Sequence, residues 1–178
     1  MADILFGGTG GQGVLTAGKI LIDVAANNGK NVSWTSEYSA EMRGGSALCR
    51  VVVSDEEIGN PYPDKLDVLC AMTEDSYNEH IDTVREGGNV IINKSLFGEI
   101  DFPDNINIYA VDATGISNDL GNPRGANLVM LGAMIKATEM IDKDQFGDTL
   151  HRYFVKKNKE DPKNITCYEQ GYNSAEKM

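Results

Sequence analysis

The sequence predicts an α/β domain of three layers, with helices on both faces of a mainly parallel sheet, a short hairpin arm and a helical C-terminal third. Three observations lead there. Short apolar runs of strand length, such as Val51-Val52-Val53 and Asn89 to Ile92, alternate with longer segments whose apolar residues recur at helical spacing. The first strand runs into a glycine loop that opens a helix. From Asn122 onward the pattern is helical to the end. A chain of 178 residues is a normal length for one domain, and one domain, residues 1–178, is expected.

Ala2 to Phe6 reads as a short buried strand. Gln12 to Asn28 follows as a helix with Val14, Ala17, Leu21 and Val24 on one face, stopped at Asn28-Gly29. Asn31 to Thr35 is a second strand, and strand, helix and strand in this order predict a parallel crossover unit. Ser46 to Ser54 is a β-branched third strand, with Glu57 to Pro61 turning back as the hairpin arm. Leu66 to Met72, Asn89 to Asn93 and Asn105 to Val111 are further strands, and Glu74 to Arg85 is a helix ended by Gly87-Gly88. Asn122-Pro123 places a capping residue before a proline at a helix start, and that helix runs to about Ile141 with Ala126, Met130, Ala133, Ala137 and Met140 in a stripe. Phe146, Leu150 and Phe154 mark another helix; the polar tail from Asn158 is expected to form a short helix with a frayed end.

Composition narrows the function classes. A net charge of −11 argues against nucleic acid as a partner, because phosphate backbones are held by clustered Lys and Arg. Lys156, Lys157 and Lys159 are followed by Glu160 and Asp161 and read as a solvated helix end. No apolar run approaches a membrane span, and Met1 to Leu5 carries no secretory pattern, so the cytoplasm is the expected compartment. Cys49, Cys70 and Cys167 are too few for an iron–sulfur cluster and lack metal-ligand spacing, so no metal site is expected. Cys49 and Cys70 lie inside apolar strands as small hydrophobes. His80 and His151 are far apart and read as surface or packing residues. No nucleophile–base–orienter set emerges, so no catalytic residue is assigned.

Two loops carry the functional signal. Gly8-Thr9-Gly10-Gly11-Gln12-Gly13 fits Gly-x-Gly-x-x-Gly after a strand and into a helix, where first-turn N–H groups and the helix dipole suit phosphate or carboxylate. One reading is a Rossmann dinucleotide site, for NAD(P) or FAD. That site wants an acidic residue about 20 residues on, at the end of the second strand; Glu37 lies slightly late. Another is a tight strand–helix turn, or a seat for a neighbouring subunit. The second loop, Ser36 to Ser46, sets Glu41 and Arg43 before Gly44-Gly45. In an open parallel sheet it falls beside the glycine loop, where Arg43 can clamp an anion and Glu41 orient it. Pairing of Glu41 with Arg43, or across a subunit contact, is the plainer alternative. Trp34 is expected to pack in the core, and Arg124 and Asn127 to open a helix facing the same crevice.

Gly-Gly-Thr-Gly-Gly-Gln-Gly-Val-Leu-Thr-Ala-Gly at 7–18, Trp34 and the loop to Gly45 closely resemble the gamma subunit of 2-oxoacid:ferredoxin oxidoreductases. Ser54 to Gly59 with Pro61, the strand Asp67 to Met72, Asn122 to Asn127, Asn164 and Gly171 continue the likeness over nearly the whole chain. The resemblance implies a Rossmann-like, non-cluster-bearing subunit of a complex that turns a 2-oxoacid and coenzyme A into acyl-CoA, carbon dioxide and reduced ferredoxin. It implies alpha, beta and delta partner subunits that hold thiamine diphosphate and iron–sulfur clusters, with ferredoxin as acceptor and no cofactor bound by this chain alone. A coenzyme A site shared with those partners is implied at Gly8, Gly10, Gly11, Gln12 and Gly13 and at Glu41, Arg43, Gly44 and Gly45. Tyr38 to Gly45 is more similar to the 2-oxoglutarate type than to the pyruvate type. Ser39-Ala40 replaces a Gly-Pro of many such chains, so 2-oxoglutarate and branched-chain 2-oxoacids both stay open.

Overall fold

A computed structural model describes residues 1–38, 45–62 and 64–178, with Tyr38 described in its backbone alone. Seven strands form one sheet in the order β2-β3-β1-β4-β5-β6-β7. The strands are β1 (Ala2–Thr9), β2 (Asn31–Tyr38), β3 (Ser46–Ser54), β4 (Leu66–Ala71), β5 (Val84–Asn93), β6 (Asn107–Val111) and β7 (Glu176–Lys177). The helices are α1 (Val14–Asn27), α2 (Glu74–His80), α3 (Ala113–Asp119), α4 (Ala126–Thr138), α5 (Lys143–Lys156) and α6 (Pro162–Ser174).

Strands β1, β4, β5 and β6 are parallel neighbours, whereas β3 runs antiparallel to both β1 and β2, and β7 antiparallel to β6. β2 therefore runs in the same sense as β1 but does not touch it. The expected crossover unit of adjacent strands is corrected here: β3 is inserted between its two strands. The reason lies in Ser46–Ser54, whose β-branched run pairs on both edges, with Ile4 and Trp34 both opposite Val51.

Two apolar clusters lie on opposite faces of the sheet, making the three layers. Ile4, Phe6, Cys49, Val51, Val68, Cys70 and Ile91 pack under α1 and α4 with Phe146 and Tyr168 outside them. Leu5, Leu69, Val90, Ile92 and Ile108 face the other way, onto Tyr77, Phe97 and Phe102. Cys49 and Cys70 flank Phe6 in the register and are fully buried; burial pushes the Cys49 thiol up to about 11. Cys167 is buried as well, on α6.

Several element bounds differ from the sequence reading. Residues 57–61 form no strand, only bends and irregular backbone, and the antiparallel hairpin pair is β2 with β3. α2 ends at His80, where a 3-10 turn leads into β5, and the strand continues through Gly87-Gly88. The helix expected from Pro123 begins at Ala126, because Asn122 to Gly125 close a turn through a 2.7 Å bond from Gly125 N–H to the Asn122 carbonyl. α4 is buried on nearly every side rather than along one stripe. The tail is not frayed. α6 has Asp161 as a side-chain cap and Pro162 in its first turn. It lies against α4 so closely that a Cβ on Gly132 would come within 2.7 Å of Tyr172 N, and one on Gly171 within 2.7 Å of the Val129 Cα. After it, β7 closes the sheet edge against β6.

Candidate functional site

The glycine loop leaves β1 at the end of the sheet where β4, β5 and β6 also finish. Thr9 is the last strand residue, and its N–H donates to Gln12 Oε1 at 2.8 Å while the Gln12 N–H donates to the Thr9 carbonyl at 3.2 Å. Gln12 thus fastens the loop from inside, over Gly8, which is buried beneath it. The Gln12 side chain is what holds the loop's shape.

Gly13 caps α1 in the left-handed region at φ 79°, ψ 23°, which costs a residue with a Cβ. A Cβ there would also run into Asn127 Nδ2 at 2.6 Å. That amide instead donates to the Gly13 carbonyl at 3.1 Å, joining the starts of α1 and α4. Asn127 is buried, while Arg124 stays exposed beside it. The first turn of α1 has neither a side-chain cap nor an acidic residue. Its leading amides have no partner within the helix, and Gly10 and Gly11 of the preceding loop are exposed. The arrangement suits an anion's oxygens.

The second loop meets the glycine loop at one described point. The Gly10 N–H donates to the Gly45 carbonyl at 3.0 Å. Glu41, Arg43 and Gly44 lie outside the described residues. Trp34 is half-buried against the core, as expected, with Lys19 Nζ 5.4 Å above its ring.

The geometry disfavours the dinucleotide reading. Such sites place the acidic ribose partner at the end of a strand adjacent to the glycine-loop strand. Here Glu37 is the last but one residue of β2 and β3 stands between β2 and β1, so Glu37 is two strand spacings from β1, roughly 10 Å. His151 is exposed on α5. Among the described residues, no helix is long and apolar enough to cross a membrane, and no three His, Cys, Asp or Glu side chains gather as metal ligands.

A mainly parallel α/β sheet with a glycine loop at the end of β1, leading into α1, defines the class. The family model for pyruvate ferredoxin/flavodoxin oxidoreductase matches residues 3–174, and the chain belongs to that family. It is 32% identical over 179 residues to the 2-oxoglutarate synthase subunit KorC of Methanocaldococcus jannaschii, covering 99% of this chain and 95% of that one. It is 35% identical over 171 residues to the ketoisovalerate oxidoreductase subunit VorA of Methanothermobacter marburgensis, covering 96% of this chain but 36% of the relative; the chain spans about a third of that protein's length. Among solved structures, the keto/oxoacid ferredoxin oxidoreductase gamma subunit of Geobacter sulfurreducens superposes with a TM-score of 0.78 at 27% identity, covering 97% of both chains. The 2-oxoglutarate:ferredoxin oxidoreductase of Magnetococcus marinus, with 2-oxoglutarate, coenzyme A and succinyl-CoA bound, gives a TM-score of 0.81 at 22% identity. There the match covers 97% of this chain and 30% of the other, and shows the fold alone.

Proposed function

We propose that this chain is the gamma-type subunit of a 2-oxoacid:ferredoxin oxidoreductase, contributing assembly and one wall of the coenzyme A site. The observation that carries the reading is the end-to-end likeness to KorC, 32% identical with 99% and 95% of the two chains covered. The site adds a physical argument. Coenzyme A is a polyanion, and the uncapped start of α1, the exposed Gly10 and Gly11, and Arg124 at the start of α4 offer amides and one guanidinium to its phosphates. Arg43, one loop away, supplies a second guanidinium on this reading, with Glu41 orienting it. Gln12 and Asn127 hold the loop's shape.

The complex would decarboxylate 2-oxoglutarate or a branched-chain 2-oxoacid oxidatively, forming acyl-CoA and reduced ferredoxin. Thiamine diphosphate and iron–sulfur clusters belong, on this reading, to alpha, beta and delta subunits. The purified chain is therefore expected to show no turnover. Co-expressed with its partners, it is expected to support reduction of a viologen dye that requires both 2-oxoacid and coenzyme A. A complex that assembles and works equally well without this chain overturns the proposal, as does saturable NAD(P) or FAD binding with hydride transfer by the chain alone. Arg43→Ala is expected to raise the apparent KM for coenzyme A about tenfold with little change in kcat, the signature of lost uniform binding. An unchanged KM in an intact complex removes Arg43 from the site.

A further inference from the structure

On the sheet face opposite α1, a groove of about 200 Å³ runs beside the β2 edge. Leu5, Leu48 and Leu66 form its floor, and Thr35, Ser36 and Glu37 of β2 its outer wall. Tyr62, Asp64, His80 and Thr83 close the other side. Its features differ from those of the glycine crevice. Tyr62 is 57% exposed, an aromatic left open at the mouth. His80 Nε2 is buried without a hydrogen-bond partner among the described residues, the nearest carboxylate being Glu79 at 3.9 Å. A buried nitrogen of this kind is unfavourable until a partner meets it. Arg50 on the floor is tied to the buried Asp3 and also feels the Asp64 carboxylate, while Glu37 and Asp64 are both exposed at the mouth. Two carboxylates, Glu37 and Asp64, thus line the groove beside one guanidinium whose charge the buried Asp3 already balances.

We infer that this groove receives an extended, arginine-bearing segment of a partner subunit. An arginine's aliphatic stem suits the leucine floor, and its guanidinium can meet the Glu37 and Asp64 carboxylates and stack on Tyr62. Its several N–H donors also give the His80 Nε2 lone pair a partner when the ring is protonated at Nδ1. The described sheet order ends at β2, so a segment entering here can run alongside that strand. A second copy of this chain fits poorly, because a net charge of −11 would face an acidic mouth. The inference rests on the subunit role proposed above.

The test uses the co-expressed complex. With a photo-crosslinking phenylalanine derivative in place of Tyr62, irradiation is expected to join this chain to an arginine-containing peptide of a partner subunit. The pair Glu37→Lys with Asp64→Lys is expected to weaken association with the partners by about tenfold, whereas Glu56→Lys with Glu57→Lys, both exposed beyond β3, leaves it unchanged. Crosslinks only to a second copy of this chain, or only to peptides without a basic residue, overturn the inference. So does a charge-reversed pair that folds and associates as tightly as the unaltered chain. If the unaltered chain neither assembles nor supports viologen reduction, the subunit role fails and the groove's occupant with it. If it does both while the groove variants behave normally, the groove inference alone fails.

Discussion

Gly171→Ala is expected to lower the stability of the folded chain by about 3 kcal/mol, the upper end of what overpacking costs. The added methyl would press on the Val129 carbonyl and come within 2.7 Å of its Cα. Both are backbone, so no side chain can swing aside and the two helices must separate. Gly132→Ala meets Tyr168 and Tyr172 backbone from the other side and should behave alike. Gly147→Ala is the control. It sits in α5 with Tyr168 ring atoms at 3.6 Å, an ordinary contact, and a helical Gly→Ala change of that kind is neutral to mildly stabilising. Thermal unfolding checks all three. At roughly 2–4 °C per kcal/mol for a domain of this size, Gly171→Ala should lose on the order of 10 °C. A shift no larger than that of Gly147→Ala would mean that α4 and α6 do not approach as described.

The second large effect is expected at Arg50. Its Nε donates to both Asp3 carboxylate oxygens, at 2.9 and 3.1 Å, and one terminal nitrogen bonds Asp3 as well. The bond to Asp3 leads the causes that hold the guanidinium above its ordinary pKa. Asp3 is only 1% exposed. Arg50→Met removes the cation and leaves that carboxylate buried without its charge partner, a change that costs about 3–5 kcal/mol in comparable settings. Chemical denaturation should show the loss. Combining Asp3→Leu with Arg50→Met should recover part of it, since replacing both members of a buried pair by apolar groups is far milder than orphaning one. A double variant as unstable as the sum of its parts would show that the two residues do not act as a pair.

The sequence disclosed those features whose cause is local. The glycine loop, the helix it opens and the strand-length apolar runs are written in consecutive residues, and these elements lie close to their expected places; α3 and the short β7 were not expected, and the arm at 57–61 forms no strand. Strand order is not local. The same run Ser46–Ser54 could have sat at the sheet edge; its insertion beside β1 depends on which strands it pairs with on both sides. α6 was underestimated for a related reason. Its apolar residues are few, Cys167, Tyr168 and Ile165 among them. What binds it is the absence of a side chain at Gly171 and Gly132, which a hydrophobic pattern does not register. The site was half legible. Its glycines stand out in the sequence, but the roles of Gln12 and Asn127 required the fold, since Asn127 reaches Gly13 from 114 positions away. His80 reads as a packing histidine, and only its unpartnered nitrogen marks it out.

The bond from the Gly10 N–H to the Gly45 carbonyl makes one amide proton a gauge of the whole crevice. Gly10 is exposed, so this bond is what should slow its exchange with solvent deuterium. A ligand or subunit that draws Gly45 away would speed that exchange, and one that clamps the two loops together would slow it further. A single resonance could then be followed as candidate partners are added one at a time, separating the binding of coenzyme A proposed above from the proposed docking of a neighbouring chain.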